Sequence, residues 1–384
     1  MNVVFLSPAF PPTAPPFCAA LASLGVRVLG IGDQPLRPDS VEARALADYK
    51  FEPRMGEYAV LRATVSGLLE RHGAIDRVDS NGEHWLVAEA RLRDDFDIPG
   101  LRSQQLVQQT SKLAMAELFA RASVPYPPTV SAVDGSHVRR LAKEHGFPLV
   151  FKPDHGSGAV DTFSVSGEGE LDAALEREPW SKVVQPFIDG AIVTYDGLTD
   201  RDGNIVFATS HTYDSGIMQV RQGALDGHYF SFKSLPEGLE VVGRRAVAAF
   251  DVRERFFHLE LFHHSNGGYT ALEMNLRPPG GFTTDMMNAA ADVDVYELWA
   301  RVMTGQDVSG FTFTPRYYTA HAGRRAGRSY ALSSQELARA LGDTLYAERA
   351  VPPAFAATMG DTAYLLRHPE LEPLKQAISL VQAR

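Results

Sequence analysis

The chain has 384 residues, 45% of them hydrophobic and 22% charged, with a formal net charge of −10; the length predicts two or three domains, and the acidic balance argues against the basic face that a nucleic-acid partner needs. Its single cysteine, Cys18, excludes a disulfide framework or a cysteine metal site within one chain and reads as a small buried hydrophobe. No run approaches 18 apolar residues and VVFL is too short for the apolar core of a secretory signal, so a cytoplasmic protein without a membrane span is expected.

In chain order, Asn2–Leu6 reads as a buried strand, Pro15–Leu24 as a helix closed by Gly25, and Val26–Ile31 as a second strand, the βαβ start of a parallel sheet. The SPAFPPTAPPF connection has no G-x-G-x-x-G and is not read as a dinucleotide site. A helix over Tyr58–His72 and a strand over Ile75–Val78 follow, running into Asp79-Ser80-Asn81-Gly82-Glu83 and a helix from about Trp85 to Arg93. Polar residues just past a strand's carboxyl end lie where open α/β sheets place ligands. Glu83 is therefore either a cleft residue or a solvated carboxylate favoured by the helix dipole.

Ile98-Pro99-Gly100 reads as a linker, after which Thr110 or Ser111 caps a helix through about Ala122, ended by Val124-Pro125-Tyr126-Pro127-Pro128. Lys112 sits in the first turn of that helix, where a cation costs a few tenths of a kcal/mol against the dipole, a small penalty that hints at a use. A helix over His137–His145 leads to a strand over Phe147–Pro153 that bears one lysine, Lys152, among apolar neighbours; its ammonium must end near an anion or in water. The turn Asp154-His155-Gly156-Ser157-Gly158-Ala159 is either an ordinary hairpin loop or a set of backbone N–H groups that can close over phosphates. Strands over Thr162–Ser166 and Lys182–Ile188 come next, then a hairpin of Ala191–Leu198 and Asn204–His211 turned at Asp202-Gly203. Between His211 and Tyr229, the side chains of Tyr213, Asp214, Arg221 and His228 suit a small polar substrate, without a ranking among them. A helix over Leu239–Phe250 precedes the stretch FHLELFHHSNGGYTALEMNLRPPGG, residues 257 to 281.

Within that stretch Phe257, Leu259 and Leu261 alternate with His258, Glu260 and Phe262, and Leu272 and Met274 alternate with Ala271, Glu273 and Asn275, the period of two strands. A two-residue turn at Asn266-Gly267 would place Ser265 opposite Gly268 and Glu260 opposite Glu273; a slip to Gly267-Gly268 would place Glu260 opposite Asn275. Either register gathers the three oxygen-bearing side chains on one face. Carboxylates opposed at about 5 Å repel by about 3 kcal/mol at an effective dielectric near 20, so a positive group is expected between them. Magnesium suits Glu260, Glu273 and Asn275, since it takes hard oxygen ligands and keeps waters or phosphates besides; the alternative is a solvent-facing charged sheet. Arg277 returns to the same face with a fork of donors that fits a phosphate oxygen. His263-His264 lack a third ligand and are not read as a zinc site. Past Gly281, Phe282–Asn288 opens a helix, and beyond Gly310 a strand over Thr312–Ala320 and a capped helix over Ser333–Leu341 offer no identified chemistry.

Glu260, then Glu273-Met274-Asn275, then Arg277 before Pro-Pro-Gly-Gly resembles the metal-binding end of the ATP-grasp superfamily, near its carboxylate-amine ligase and carbamoyl-phosphate-synthetase-like members, over roughly residues 1 to 310. The resemblance implies an α/β and α+β chain: a small parallel-sheet α/β domain over residues 1–100, an ATP-grasp domain over 101–308 with a lid at about 125–186, and a C-terminal subdomain over 309–384. It implies that Lys112 and Lys152 reach ATP phosphates and that Gly156, Ser157 and Gly158 belong to a phosphate-covering flap. It also implies that the strand segment Gln185, Pro186, Phe187 and Ile188 borders adenine, and that Arg277 and Lys152 serve catalysis. The expected cofactors are ATP and one or two magnesium ions, held by Glu260, Glu273 and Asn275, with manganese able to substitute. Two positions depart from the pattern. Ser111 stands where an aspartate is usual, and Ile192 stands where an acidic side chain commonly holds the ribose, leaving Asp189 or another carboxylate to substitute.

The function so implied is phosphorylation of a small carboxylate to an acyl phosphate and its joining to an amine; a homodimer is one allowed assembly. The chain shows no biotin-attachment segment and no glutaminase cysteine. The rival readings are a carboxylase-like subunit making carboxyphosphate from bicarbonate, and a catalytically silent ATP-binding regulator, the latter motivated by Ile192 and Ser111.

Overall fold

The computed structural model describes residues 1–156, 161–177, 182–213 and 226–384. Ser157, Gly158, Ala159, Asp214 and Arg221, singled out from the sequence, lie outside those residues. The architecture is mixed α/β, with a parallel sheet at the N-terminus and two antiparallel sheets after it, one small and one large.

Strands β1 (Asn2–Leu6), β2 (Arg27–Gly32), β3 (Leu46–Phe51) and β4 (Arg77–Asp79) form a parallel sheet in the order β3-β2-β1-β4. Val3, Val4, Phe5 and Leu6 are all fully buried because helices cover both faces of their strand, the usual situation of a parallel sheet. The helix Tyr58–His72 has its expected bounds, with Leu61, Val65 and Leu68 forming the apolar stripe it turns inward. Cys18 is a free, buried cysteine, as expected for a small hydrophobe.

A second sheet, β5 (Val130–Ser131), β6 (Leu149–Pro153), β7 (Phe163–Val165) and β8 (Lys182–Pro186), runs β5-β8-β6-β7 around its own small core. Strand β8 ends at Pro186, two residues before the sequence suggests: Phe187 is exposed, and its N–H turns to the Pro148 carbonyl at 3.0 Å.

The remaining strands are β9 (Ala191–Thr199), β10 (Ile205–Thr209), β11 (His211–Tyr213), β12 (His228–Ser231), β13 (Phe256–His263), β14 (Tyr269–Asn275), β15 (Tyr318–Arg324), β16 (Leu345–Ala350) and β17 (Thr362–His368). They form one nine-stranded sheet, β14-β13-β9-β11-β12-β15-β17-β16, with β10 also on β9. Two sequence expectations need correction. The single strand expected over 204–211 is two, because β10 and β11 both pair with β9, at Asp196 to Thr199 and at Val193 respectively. The strand expected over 312–320 lies at 318–324, where Ala320 and Ala322 pack into the core above the helix Leu371–Gln382.

The turn of the β13–β14 hairpin is a further correction. Its turn is Ser265-Asn266-Gly267, three residues long: His264 faces Gly268, the His264 N–H donates to the Gly268 carbonyl at 2.9 Å, and Gly267 takes φ +82°. A β-bulge follows, with Glu260 opposite Glu273 but Leu261 opposite Ala271, which leaves Leu272 as the extra residue. The bulge offsets the longer turn, so Glu260 does face Glu273. It also reverses the pleat, and Tyr269 and Ala271 join Leu259 and Met274 in the core.

That core is closed by the helices Lys112–Arg121 and Leu239–Ala249. Gly243 on the second helix lets the buried Tyr195 ring approach closely, and a Cβ there would sit inside the ring's van der Waals radius. Gly243→Ala is expected to lower stability by about 1–3 kcal/mol through overpacking, measured by urea unfolding, despite alanine's better helix propensity.

Candidate active site

Strand pairing decides which side chains share a face, since directly opposed residues point the same way. Asn275 faces His258 and Glu273 faces Glu260; across the next pair His258 faces Asp196 and Glu260 faces Thr194. Tyr213 faces Tyr229, and Tyr229 faces His321. One face of the large sheet therefore carries a row that begins with Glu273, Glu260 and Asp196 and ends in aromatic rings.

The acidic end is charge-compensated. Lys112 Nζ lies 3.4 Å from Glu273 Oε2 and donates to the Gly156 carbonyl at 2.6 Å. His258 bridges two carboxylates, Nε2 to Glu260 Oε1 at 3.1 Å and Nδ1 to Asp196 Oδ1 at 2.6 Å. His211 Nδ1 lies 2.8 Å from the other Asp196 oxygen, and its Nε2 lies 3.2 Å from the Tyr213 hydroxyl. Burial opposes the charge on His258, but the Asp196 and Glu260 carboxylates overcome it and raise its pKa to about 9. Burial likewise works against the Glu260 carboxylate, yet His258 and Arg277 hold its pKa below the usual value, whereas burial and the neighbouring Glu260 push Glu273 up. The positive groups expected between the two glutamates are thus present in the chain itself: Lys112 on one and His258 on the other.

Lys112 is 4% exposed at the first position of its helix. Ser111 caps that helix by accepting from the Ala114 N–H at 3.2 Å, while its hydroxyl donates to Asp154 at 2.8 Å. Asp154 also accepts from the Leu113 N–H at 3.0 Å, so a carboxylate reaches this helix start from just past the end of β6 although residue 111 is serine. Lys152 is 6% exposed, and burial brings its pKa down to about 8 against the pull of Glu273.

Gln185 is buried, its amide donating to Thr129 Oγ1 at 2.7 Å; Pro186 and Ile188 are half-buried beside it. Gly156 takes φ +93° at the edge of the described residues. Ile192 faces Phe262 on β13, and exposed Asp189 gives its carbonyl to His264 Nδ1 at 3.0 Å. His264 also contacts Thr270 at 2.8 Å, and neither it nor His263 joins a metal cluster: among the described residues no group of three or more His, Cys, Asp or Glu side chains is placed to hold a metal. Two carboxylates and an amide fall short of that count. Their hard oxygens nevertheless suit magnesium if water and phosphate complete its shell.

A cavity of about 430 Å³ opens beside this row. Glu83 lines it and pairs with Arg277, Oε2 to Nε at 3.1 Å, which selects the cleft reading for Glu83 over the solvated one. Phe10, Trp85, Tyr229, Phe355 and Met359 form much of the remaining wall. The loop that carries Glu83 is fixed by a buried cluster: Arg93 Nη2 lies 3.1 Å from Glu89 and 3.6 Å from Asp79, Arg255 Nη2 lies 3.7 Å from Asp79, and Arg255 donates to the Leu276 carbonyl at 2.9 Å. Arg255 thereby ties the first sheet to the residue before Arg277.

Asp196, His211 and the role of His258 were not picked out from the sequence. The available signal was an aspartate alternating with Val193 and Tyr195 as the one charged residue of its strand, which is costly unless it is paired.

No protein-family model matches the chain. Among curated proteins it resembles an L-arginine-specific L-amino acid ligase of Bacillus subtilis, at 23% identity over 247 residues, which is 61% of this chain and 59% of that protein. Among solved structures it superposes on an L-amino acid ligase from Bacillus licheniformis with a TM-score of 0.77 at 16% identity, covering 98% of this chain and 96% of the other. The biotin carboxylase domain of a Hydrogenobacter thermophilus 2-oxoglutarate carboxylase, solved with MgADP and bicarbonate, gives 0.69 at 16% identity over 96% and 86%. No helix among the described residues is long and apolar enough to cross a membrane.

The raised pKa of His258 has a consequence for stability. Its folded value of about 9 exceeds the unfolded value of 6.5, so the contribution is complete below about pH 6.5 and lost as pH rises through 9. Thermal unfolding should show a loss on the order of 3 kcal/mol across that window, and His258→Gln should flatten it.

Proposed function

For a chain with the ATP-grasp fold and ATP-grasp carboxylate-amine ligases among its relatives, we propose an ADP-forming ligase that phosphorylates a small carboxylate and joins it to an amine. The observation that carries the reading is the single face on which Glu260, Glu273, Lys112 and Arg277 converge beside a cavity.

In this reading a carboxylate oxygen of the substrate attacks the terminal phosphorus of ATP and the bond to the bridging oxygen of ADP breaks. The amine then attacks the acyl carbon, phosphate leaves, and the amine gives up a proton. No side-chain nucleophile is required; positioning and charge neutralisation are the protein's share. Lys112 and Lys152 hold the phosphates. Lys152 suits this because a buried ammonium needs an anion, and among the described residues it makes no hydrogen bond or ion pair. Arg277, oriented by Glu83, holds the migrating phosphoryl group. Glu260, Glu273 and Asn275 would hold one or two magnesium ions, for which manganese could substitute, and the metal would supply charge neutralisation for the phosphates. His258, locked between Asp196 and Glu260, fixes the Glu260 rotamer. Gln185 with Pro186, Phe187 and Ile188 borders the base. Gly156 with Ser157 and Gly158 supplies the flap. The cavity, far larger than bicarbonate needs, favours a ligase over the carboxylase reading.

Purified protein with ATP, magnesium, a panel of amino acids and hydroxylamine should release phosphate and form a hydroxamate. Glu273→Ala should lower that rate by at least about a hundredfold with an unchanged circular-dichroism spectrum; wild-type activity in that variant would remove the metal role. Because Lys152 loses its proton near pH 8 in the nucleotide-free protein, ATP affinity measured by calorimetry should fall by up to about tenfold between pH 7 and 9. Tight ATP binding without turnover of any carboxylate would favour the regulator instead.

A further inference from the structure

The cavity has two unlike ends. Its charged lining is concentrated where the reaction is placed, and each of those groups is already paired: Glu83 with Arg277 at 3.1 Å, Glu260 with His258 at 3.1 Å, and Glu273 with Lys112 at 3.4 Å. Away from that end, with Thr13, His228 and Thr358 among the polar residues of the lining, the described wall carries a cluster of large apolar side chains. Phe10, from the loop after β1, stacks on Phe355, from the helix Pro353–Met359, with ring centroids 5.2 Å apart and planes 19° from parallel. Trp85, Tyr229 and Met359 continue that surface. His321 on the same side is buried, and burial brings its pKa down to about 4, so it adds no charge at neutral pH.

Four segments distant in sequence thus converge on one hydrophobic wall. Phe10 remains 37% exposed even with its ring stacked on Phe355. The wall faces a cavity of a size that encloses small ligands. A charged side chain placed against it would lose its hydration, and the carboxylates and the guanidinium that line the cavity are already paired. A bulky apolar or aromatic side chain would exchange water for ring and thioether contacts.

Resting on the ligase reading above, we propose that the carboxylate substrate is an α-amino acid with a bulky apolar or aromatic side chain, seated on the Phe10–Phe355 wall with its carboxylate toward Arg277. Phe10 and Phe355 are then specificity-determining residues. This separates the chain from the relative whose name specifies arginine.

The test is the hydroxamate assay with phenylalanine, leucine, methionine, alanine, arginine and glutamate as single substrates. The expected result is a kcat/KM for phenylalanine, leucine or methionine at least about tenfold above arginine and glutamate. Phe355→Ala and, independently, Phe10→Ala should lower the phenylalanine-to-alanine ratio of kcat/KM about tenfold, chiefly through KM, and Phe355→Leu should restore most of it. Phe10 lies on an exposed loop, so its variant reports even if Phe355→Ala unfolds. Arginine or glutamate used as well as phenylalanine, or an unchanged ratio in the variants, overturns the side-chain assignment and leaves the ligase reading standing. No hydroxamate from any of these amino acids while ATP still binds overturns the amino-acid assignment, and none from any carboxylate overturns the ligase reading as well.

Discussion

Two buried carboxylates facing one another across a hairpin are the constraint on which the rest of this structure turns. Left alone, Glu260 and Glu273 would repel by an amount comparable to a large share of a domain's stability. The fold answers with two cations, one distant in sequence and one close: Lys112 from a helix start, and His258 from the adjacent position on the same face of β13, itself held by Asp196 of β9. Each compensating group needs its own support. Asp154 and Ser111 anchor the start of the lysine's helix, and Thr194 and His211 occupy the second oxygen of Asp196. The catalytic face proposed for this protein is thus a chain of charge corrections, and any divalent cation must enter a site whose acids are already partnered.

Much of this was legible because local rules and tertiary demands agree. The alternation of Phe257 to Asn275 fixed two strands and one acidic face, and Asn2–Leu6 and Tyr58–His72 fall at their expected bounds. The turn type was misread, since Asn266-Gly267 reads equally as the centre of a two-residue turn or as the end of a three-residue one, and nothing local reveals a bulge five residues away. Lys112 was singled out on a small electrostatic oddity and does lie against Glu273. Its counterpart for Glu260 was passed over, because a histidine two residues from a glutamate becomes informative only when the neighbouring strand is known to carry an aspartate.

The C-terminal strands illustrate a different limit. Sequence offered no chemistry after residue 310, yet β15 continues the same sheet, and the helix after β16 contributes Phe355 and Met359 to the cavity wall. These are ordinary apolar residues whose significance comes entirely from placement. The cavity's other flank is held in register by Arg255, which reaches Asp79 and the Leu276 carbonyl together, so the loop bearing Glu83 and the segment bearing Arg277 share one buried anchor.

The bulge at Leu272 has a consequence for how the hairpin tolerates change. It divides the hairpin into an inner half, where the His258–Asn275 and Glu260–Glu273 pairs face the polar site and Leu259–Met274 the core, and an outer half, where Tyr269 and Ala271 belong to the core. Drift in the length of the tip can be absorbed at that dislocation before it reaches the acids. The outer loop is thereby free to diversify in evolution while the spacing of Glu260 and Glu273 stays insulated from it.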